Sequence, residues 1–84
     1  MRVEFFGLPR ERAGVAEIEV QADTLGQLFS VLAVQFPTLA DLIGVNQLSP
    51  SLAANLNGDE FVSDPALRLS KDDRVLILSA DGGG

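Results

Sequence analysis

Residues 2–6 alternate, with Val3 and Phe5 on one side and Arg2, Glu4 and Phe6 on the other. This is the two-residue period of a strand with one buried face. Gly7 and Pro9 interrupt it, and Arg10-Glu11-Arg12-Ala13-Gly14 reads as a polar turn. Alternation resumes over 15–20, where Ile18 and Val20 stand beside Glu17 and Glu19, so a hairpin is predicted. The period then lengthens. Leu25, Leu28, Phe29, Leu32 and Phe36 have helical spacing, Thr24 and Gln27 are placed as a capping box, and Pro37 stops the helix. One further helical turn is expected within 38–43. Strand patterning returns over 51–56, Asn57-Gly58 is a tight-turn dipeptide, and 60–63 is the return strand. Asp64-Pro65 opens a connection, and Lys71-Asp72-Asp73 turns the chain into a last strand over 74–79.

The expected order is β-β-α-β-β-β. One main helix can cover one face of a mixed sheet, which makes an α+β domain of the ubiquitin-like β-grasp kind. The domain is expected over 1–80, followed by a flexible glycine tail over 81–84. Parity places Val75, Ile77 and Val62 toward the core. Phe6, Phe61 and Leu78 then fall on the helix-free face, where a cluster of apolar side chains marks a docking surface.

Composition narrows the chemistry. The 84 residues include no Cys and no His, so a disulfide framework, a thiolate nucleophile and the usual general base near neutral pH are all excluded. A conventional zinc site loses its commonest ligands, and no metal site is expected. The acidic pairs Asp59-Glu60 and Asp72-Asp73 sit at turns and read as turn chemistry, not as general acid and base. Lys71 is the only lysine and reads as part of a solvated turn. A net charge of −6 repels phosphate backbones, so nucleic acid is not an expected partner. The longest apolar run, Val75-Leu76-Ile77-Leu78, is far too short to span a bilayer, and the amino-terminal residues lack a signal-peptide pattern. A cytoplasmic protein is the expectation.

The sequence closes on Asp81-Gly82-Gly83-Gly84. Glycine has no Cβ, so its backbone can thread a narrow channel and approach a reactive group closely. Four extended residues reach about 13–14 Å, enough to enter a neighbouring protein's active site while the domain stays outside.

With these features in place, the chain resembles the MoaD/ThiS family of sulfur carriers, and its molybdopterin-synthase small-subunit branch above all. The resemblance rests on Val3-Glu4-Phe5-Phe6-Gly7, Arg10-Glu11 and Gly14; on Leu52-Ala53-Ala54, Asn57-Gly58 and Val62-Ser63-Asp64; and on Leu69, Asp73, Val75 and Gly83-Gly84. It implies a carrier that does no catalysis itself and binds no cofactor. The carboxylate of Gly84 is adenylated by an ATP-using partner that resembles ubiquitin-activating enzymes. Sulfur from a persulfide donor then displaces AMP and leaves a thiocarboxylate. A large catalytic subunit of molybdopterin synthase accepts the tail, with Phe6, Phe61 and Leu78 as contacts. Ser79-Ala80 stands where the molybdopterin subunits usually carry a proline pair, and Asp81 and Gly82 also depart from the pattern. Carriers for thiazole or cysteine biosynthesis, a ubiquitin-like modifier and a non-catalytic β-grasp adaptor therefore stay open.

Overall fold

A computed structural model of the chain describes residues 1–44 and 47–80. In chain order the elements are β1 (Arg2–Phe5), α1 (Leu8–Ala13), β2 (Glu17–Glu19), α2 (Leu25–Gln35), a 3₁₀ turn (Pro37–Leu39), β3 (Ile43–Gly44), β4 (Gln47–Leu48), β5 (Leu52–Leu56), β6 (Glu60–Val62) and β7 (Arg74–Ser79). Five strands make one mixed sheet in the order β2-β1-β7-β5-β6, and β3 pairs separately with β4. β1 and β7 run parallel at its centre, with Val3 opposite Val75 and Phe5 opposite Ile77. The remaining pairs are antiparallel, and of those in this sheet only β5–β6 is closed by a tight turn.

The alternation read from the sequence decides which face is covered. Val3, Phe5, Leu52, Ala54, Val75 and Ile77 are buried together with Leu25, Leu28, Phe29 and Leu32 of α2. Thr24 caps that helix: its Oγ1 accepts from the Gln27 amide at 3.2 Å, while Gln27 Oε1 accepts from the Asp23 amide at 2.6 Å. Two first-turn amides that cannot bond within the helix donate outward instead, Leu25 to Leu67 O and Gly26 to Pro65 O, both at 3.0 Å. The connection after β6, which turns at Pro65-Ala66, is thereby tied to the helix start. Phe36 lies one residue past the helix as its C-terminal cap, and its ring meets Phe5 edge to face at 5.4 Å.

Two expectations change. The stretch Arg10 to Gly14 is not a turn but the body and cap of α1, so β1 and β2 are joined through a helix. Pro9 explains this, because proline suits the first helical turn, where its missing N–H has no partner to lose. Gly14 then closes the helix at φ 77°, its amide donating to Arg10 O at 3.0 Å. Arg12 ties α1 to the 3₁₀ turn, donating to Thr38 O at 3.0 Å and to Asp41 Oδ1 at 2.9 Å. The second change is the β3–β4 pair, which the sequence did not signal. Two-residue strands carry no measurable period, yet Ile43 is buried there against the core. The turn expected within 38–43 is the 3₁₀ segment, which starts at Pro37.

The hairpin turn Asn57-Gly58 has φ of 59° and 76°, the left-handed pair of a type I′ connection. Asn57 also fastens this turn to the start of β7. Its Oδ1 accepts from the Arg74 amide at 2.8 Å, and its Nδ2 donates to Asp73 Oδ1 at 3.1 Å. The Ser70 amide donates to Asp73 Oδ2 at 2.7 Å. That backbone bond first, and the Asn57 bond second, hold the Asp73 carboxyl below the ordinary carboxylate range.

Two outcomes follow from this packing. Phe5→Ala removes a fully buried ring and should cost about 3–5 kcal/mol in urea denaturation. Asp73 has a depressed folded-state pKa, so its contribution is complete above the unfolded pKa of about 4 and is lost as pH falls through the folded value. The stability gap between the parent chain and Asp73→Ala should therefore be constant near neutrality and close in acid.

Candidate functional site

The face of the sheet opposite α2 is built by the strand positions that alternate with the core. The register sets Glu4, Leu76, Asn55 and Phe61 side by side across β1, β7, β5 and β6. One step along, Leu78 stands opposite Ala53. The Phe6 amide donates to Ile77 O at 2.9 Å, so Phe6 continues the β1 ladder just past the strand and flanks Leu78. Phe6 is 43% and Phe61 68% exposed, while Leu76 and Leu78 are half-buried.

All three side chains expected on this face are there, but they do not form one tight knot. Phe6 and Leu78 are on neighbouring strands. Phe61 sits two strands from Leu78, about 10 Å across the sheet, with Ala53 and Asn55 between. The structure adds Leu76 as a further apolar contributor. Strand parity already sets it there, because Leu76 shares its face with Leu78.

Electrostatics frames the patch. Arg74 Nε lies 3.2 Å from Glu4 Oε2, and Arg2 Nε lies 2.9 Å from Glu17 Oε2. These pairs are partly exposed and contribute little to stability, but they neutralise one border of the patch. Asn55 Oδ1 is buried and accepts no hydrogen bond among the described residues. A buried acceptor left unpaired costs on the order of 1–3 kcal/mol, so a donor presented by a docking surface would gain more here than at a wet position.

The end of β7 is held from two sides. Ser79 Oγ accepts from the Leu8 amide at 3.1 Å, and the Ala80 amide donates to Ser51 O at 2.8 Å. Gly7, at φ 66°, makes the first contact feasible, since a Cβ there would come 2.8 Å from Ser79 Oγ. The chain therefore leaves the sheet at a fixed point, on the strand that also carries Leu76 and Leu78. Asp81, Gly82, Gly83 and Gly84, the expected tail, lie outside the described residues. Among the described residues no group of three or more acidic side chains could hold a metal ion, and no helix is long and apolar enough to cross a membrane.

Comparison with known proteins decides what this arrangement belongs to. The model of the ThiS family matches residues 3–84. The chain belongs to the ThiS family. No curated protein matches it. Among solved structures, the small archaeal modifier protein 1 from Methanosarcina acetivorans is similar at TM-score 0.80 and 22% identity, covering 99% of this chain and 94% of that one. The BexX/CysO complex of Amycolatopsis orientalis matches at TM-score 0.78 and 20% identity over 99% of this chain and 98% of that one. A putative molybdopterin converting factor, subunit 1, from Pyrococcus furiosus matches at TM-score 0.78 and 19% identity over 93% of each chain. These likenesses establish the ubiquitin-like β-grasp fold. The ThiS-family match makes the chain one of the sulfur-carrier and ubiquitin-like β-grasp proteins.

For this ThiS-family domain, Gly7→Ala should lower stability by about 1–3 kcal/mol, because φ 66° with ψ −133° is a strained backbone for alanine and the new Cβ also meets Ser79. Phe6→Ala should change the urea midpoint much less than Phe5→Ala, its neighbour on the buried side.

Proposed function

We propose that this protein is a cytoplasmic sulfur carrier of the molybdopterin branch. Its working group is the Gly84 carboxylate. An ATP-using adenylyltransferase of the ubiquitin-activating kind joins that carboxylate to AMP with loss of pyrophosphate. The terminal sulfur of a persulfide donor then displaces AMP to give an acyl disulfide, which a thiol reductant cleaves, leaving the sulfur on the carrier and a disulfide on the donor side. The resulting thiocarboxylate enters the active site of the large catalytic subunit of molybdopterin synthase, where its sulfur is handed to a pterin precursor. In this reading the chain itself catalyses nothing and ATP is bound only by the activating partner.

The observation that carries the proposal is the coupling of two functions on one strand. β7 presents Leu76 and Leu78 on the helix-free face and ends at the Ser79–Ala80 anchor from which the glycine tail continues. A partner that grips the face is therefore registered relative to the tail. Phe6, Phe61 and Leu78 are the docking contacts in this reading, Asp81 to Gly84 the segment that is threaded. The carrier chemistry also suits a chain without cysteine, because sulfur is held on the terminus and not on a side chain.

Ser79-Ala80, in place of a proline pair, favours keeping a second reading in which the same thiocarboxylate serves thiazole or cysteine biosynthesis. The two readings share the carrier chemistry and differ in the acceptor.

Co-expression with a cognate activating enzyme and sulfur donor should raise the intact mass by the difference between sulfur and oxygen, and deletion of Gly84 should abolish the shift. An unchanged mass under those conditions overturns the carrier reading. Phe6→Ala and Phe61→Ala should weaken binding to the large subunit by about 1–3 kcal/mol each in titration calorimetry, with the fold intact by circular dichroism.

A further inference from the structure

Charge is spread unevenly over the chain. Between Thr24 and Gly58 the only charged side chain is Asp41, although 21% of all residues are charged. The two edges of the sheet differ accordingly. β2 carries Glu17 and Glu19 on either side of Ile18, so any symmetric pairing of that edge with its own copy sets acid against acid. β6 carries Glu60, Phe61 and Val62, and pairs only with β5 among the described residues. A groove of about 460 Å³ runs beside it, walled by Phe29, Leu48, Pro50 and Val62, with no charged residue in its lining.

We propose that β6 is a self-association edge, pairing antiparallel with β6 of a second copy of this chain so that the two sheets join edge to edge. The charge pattern selects the register. In a two-fold pairing that keeps like faces together, side-chain alternation requires the axis to pass through a residue. An axis at Glu60 puts Glu60 against its own copy. An axis at Val62 puts Glu60 opposite Asp64. An axis at Phe61 sets Phe61 against Phe61, Glu60 against Val62 and Asp59 against Ser63, with no acid facing an acid. Aromatic pairs directly across a strand pair are among the favourable ones. The uncharged groove adjoins this edge, so no anion of its lining faces the second copy's strand.

Each copy carries −6, so long-range repulsion opposes the encounter. Screening by salt shortens its reach from about 30 Å at 0.01 M to about 8 Å at 0.15 M. Association through β6 should therefore tighten as salt rises, the reverse of an interface held by ion pairs.

The test is sedimentation equilibrium of the full chain from micromolar to millimolar concentration, at low and at moderate salt. A salt-strengthened dimer is expected. At low salt Ser63→Lys, which faces Asp59 of the other copy, should tighten it by about two- to thirtyfold for two symmetric pairs. Ser63→Glu should weaken it by a similar factor. Gln21→Lys makes the same change in net charge at an exposed position beyond β2, and should do much less. A chain that stays monomeric at millimolar concentration and moderate salt overturns the proposal. So does a dimer that Ser63→Lys and Ser63→Glu shift in the same direction, or that Gln21→Lys tightens as much as Ser63→Lys.

Discussion

The parallel pairing of β1 with β7 is the constraint on which the rest of this molecule depends. It brings the two chain-terminal strands together at the centre of the sheet, with Val3 against Val75 and Phe5 against Ile77 beneath α2. Parallel neighbours need a long crossover, and here nearly the whole domain lies between them. Because side chains alternate, burying those residues obliges Glu4, Leu76 and Leu78 to face the other way. The helix-free face is thus a by-product of the core register, and a slip of one residue would exchange it with the buried one.

That opposite face is neither fully wet nor fully apolar. Leu76 is flanked by Glu4 of the Glu4–Arg74 pair on one side and on the other by Asn55, whose oxygen is unpaired among the described residues. Apolar area supplies affinity, whereas a buried acceptor discriminates, since a partner that covers it without a donor is penalised. The net charge of −6 acts at longer range, as a field that falls off with added salt.

Much of this was legible in the sequence because the main periods are undisturbed. The alternation of Val3 and Phe5, the helical spacing from Leu25 to Leu32, Asn57-Gly58 and the bounds of β7 all transfer directly to the structure. α1 did not, because Arg10-Glu11-Arg12 is a short polar run beside Gly and Pro with no apolar period, and its good helix propensity counts only once Pro9 is taken as a starter and Gly14 as a stop. β3 and β4 are too short to carry a pattern, and only tertiary packing of Ile43 reveals why they form. At the site, parity placed Phe6, Phe61 and Leu78 on the correct face. It could not give their spacing, which depends on β5 lying between β7 and β6, and strand order is a long-range property.

The position of β7 has a mechanical side. It is flanked by β1 and by β5 over most of its length, and its far end is pinned by Leu8 and Ser51. Traction on the segment beyond Ala80 would load two hydrogen-bonded ladders together in shear instead of peeling one strand from an edge. A domain strung this way resists being dragged apart by its own terminus, so a partner can pull on the handle without unravelling what it is attached to.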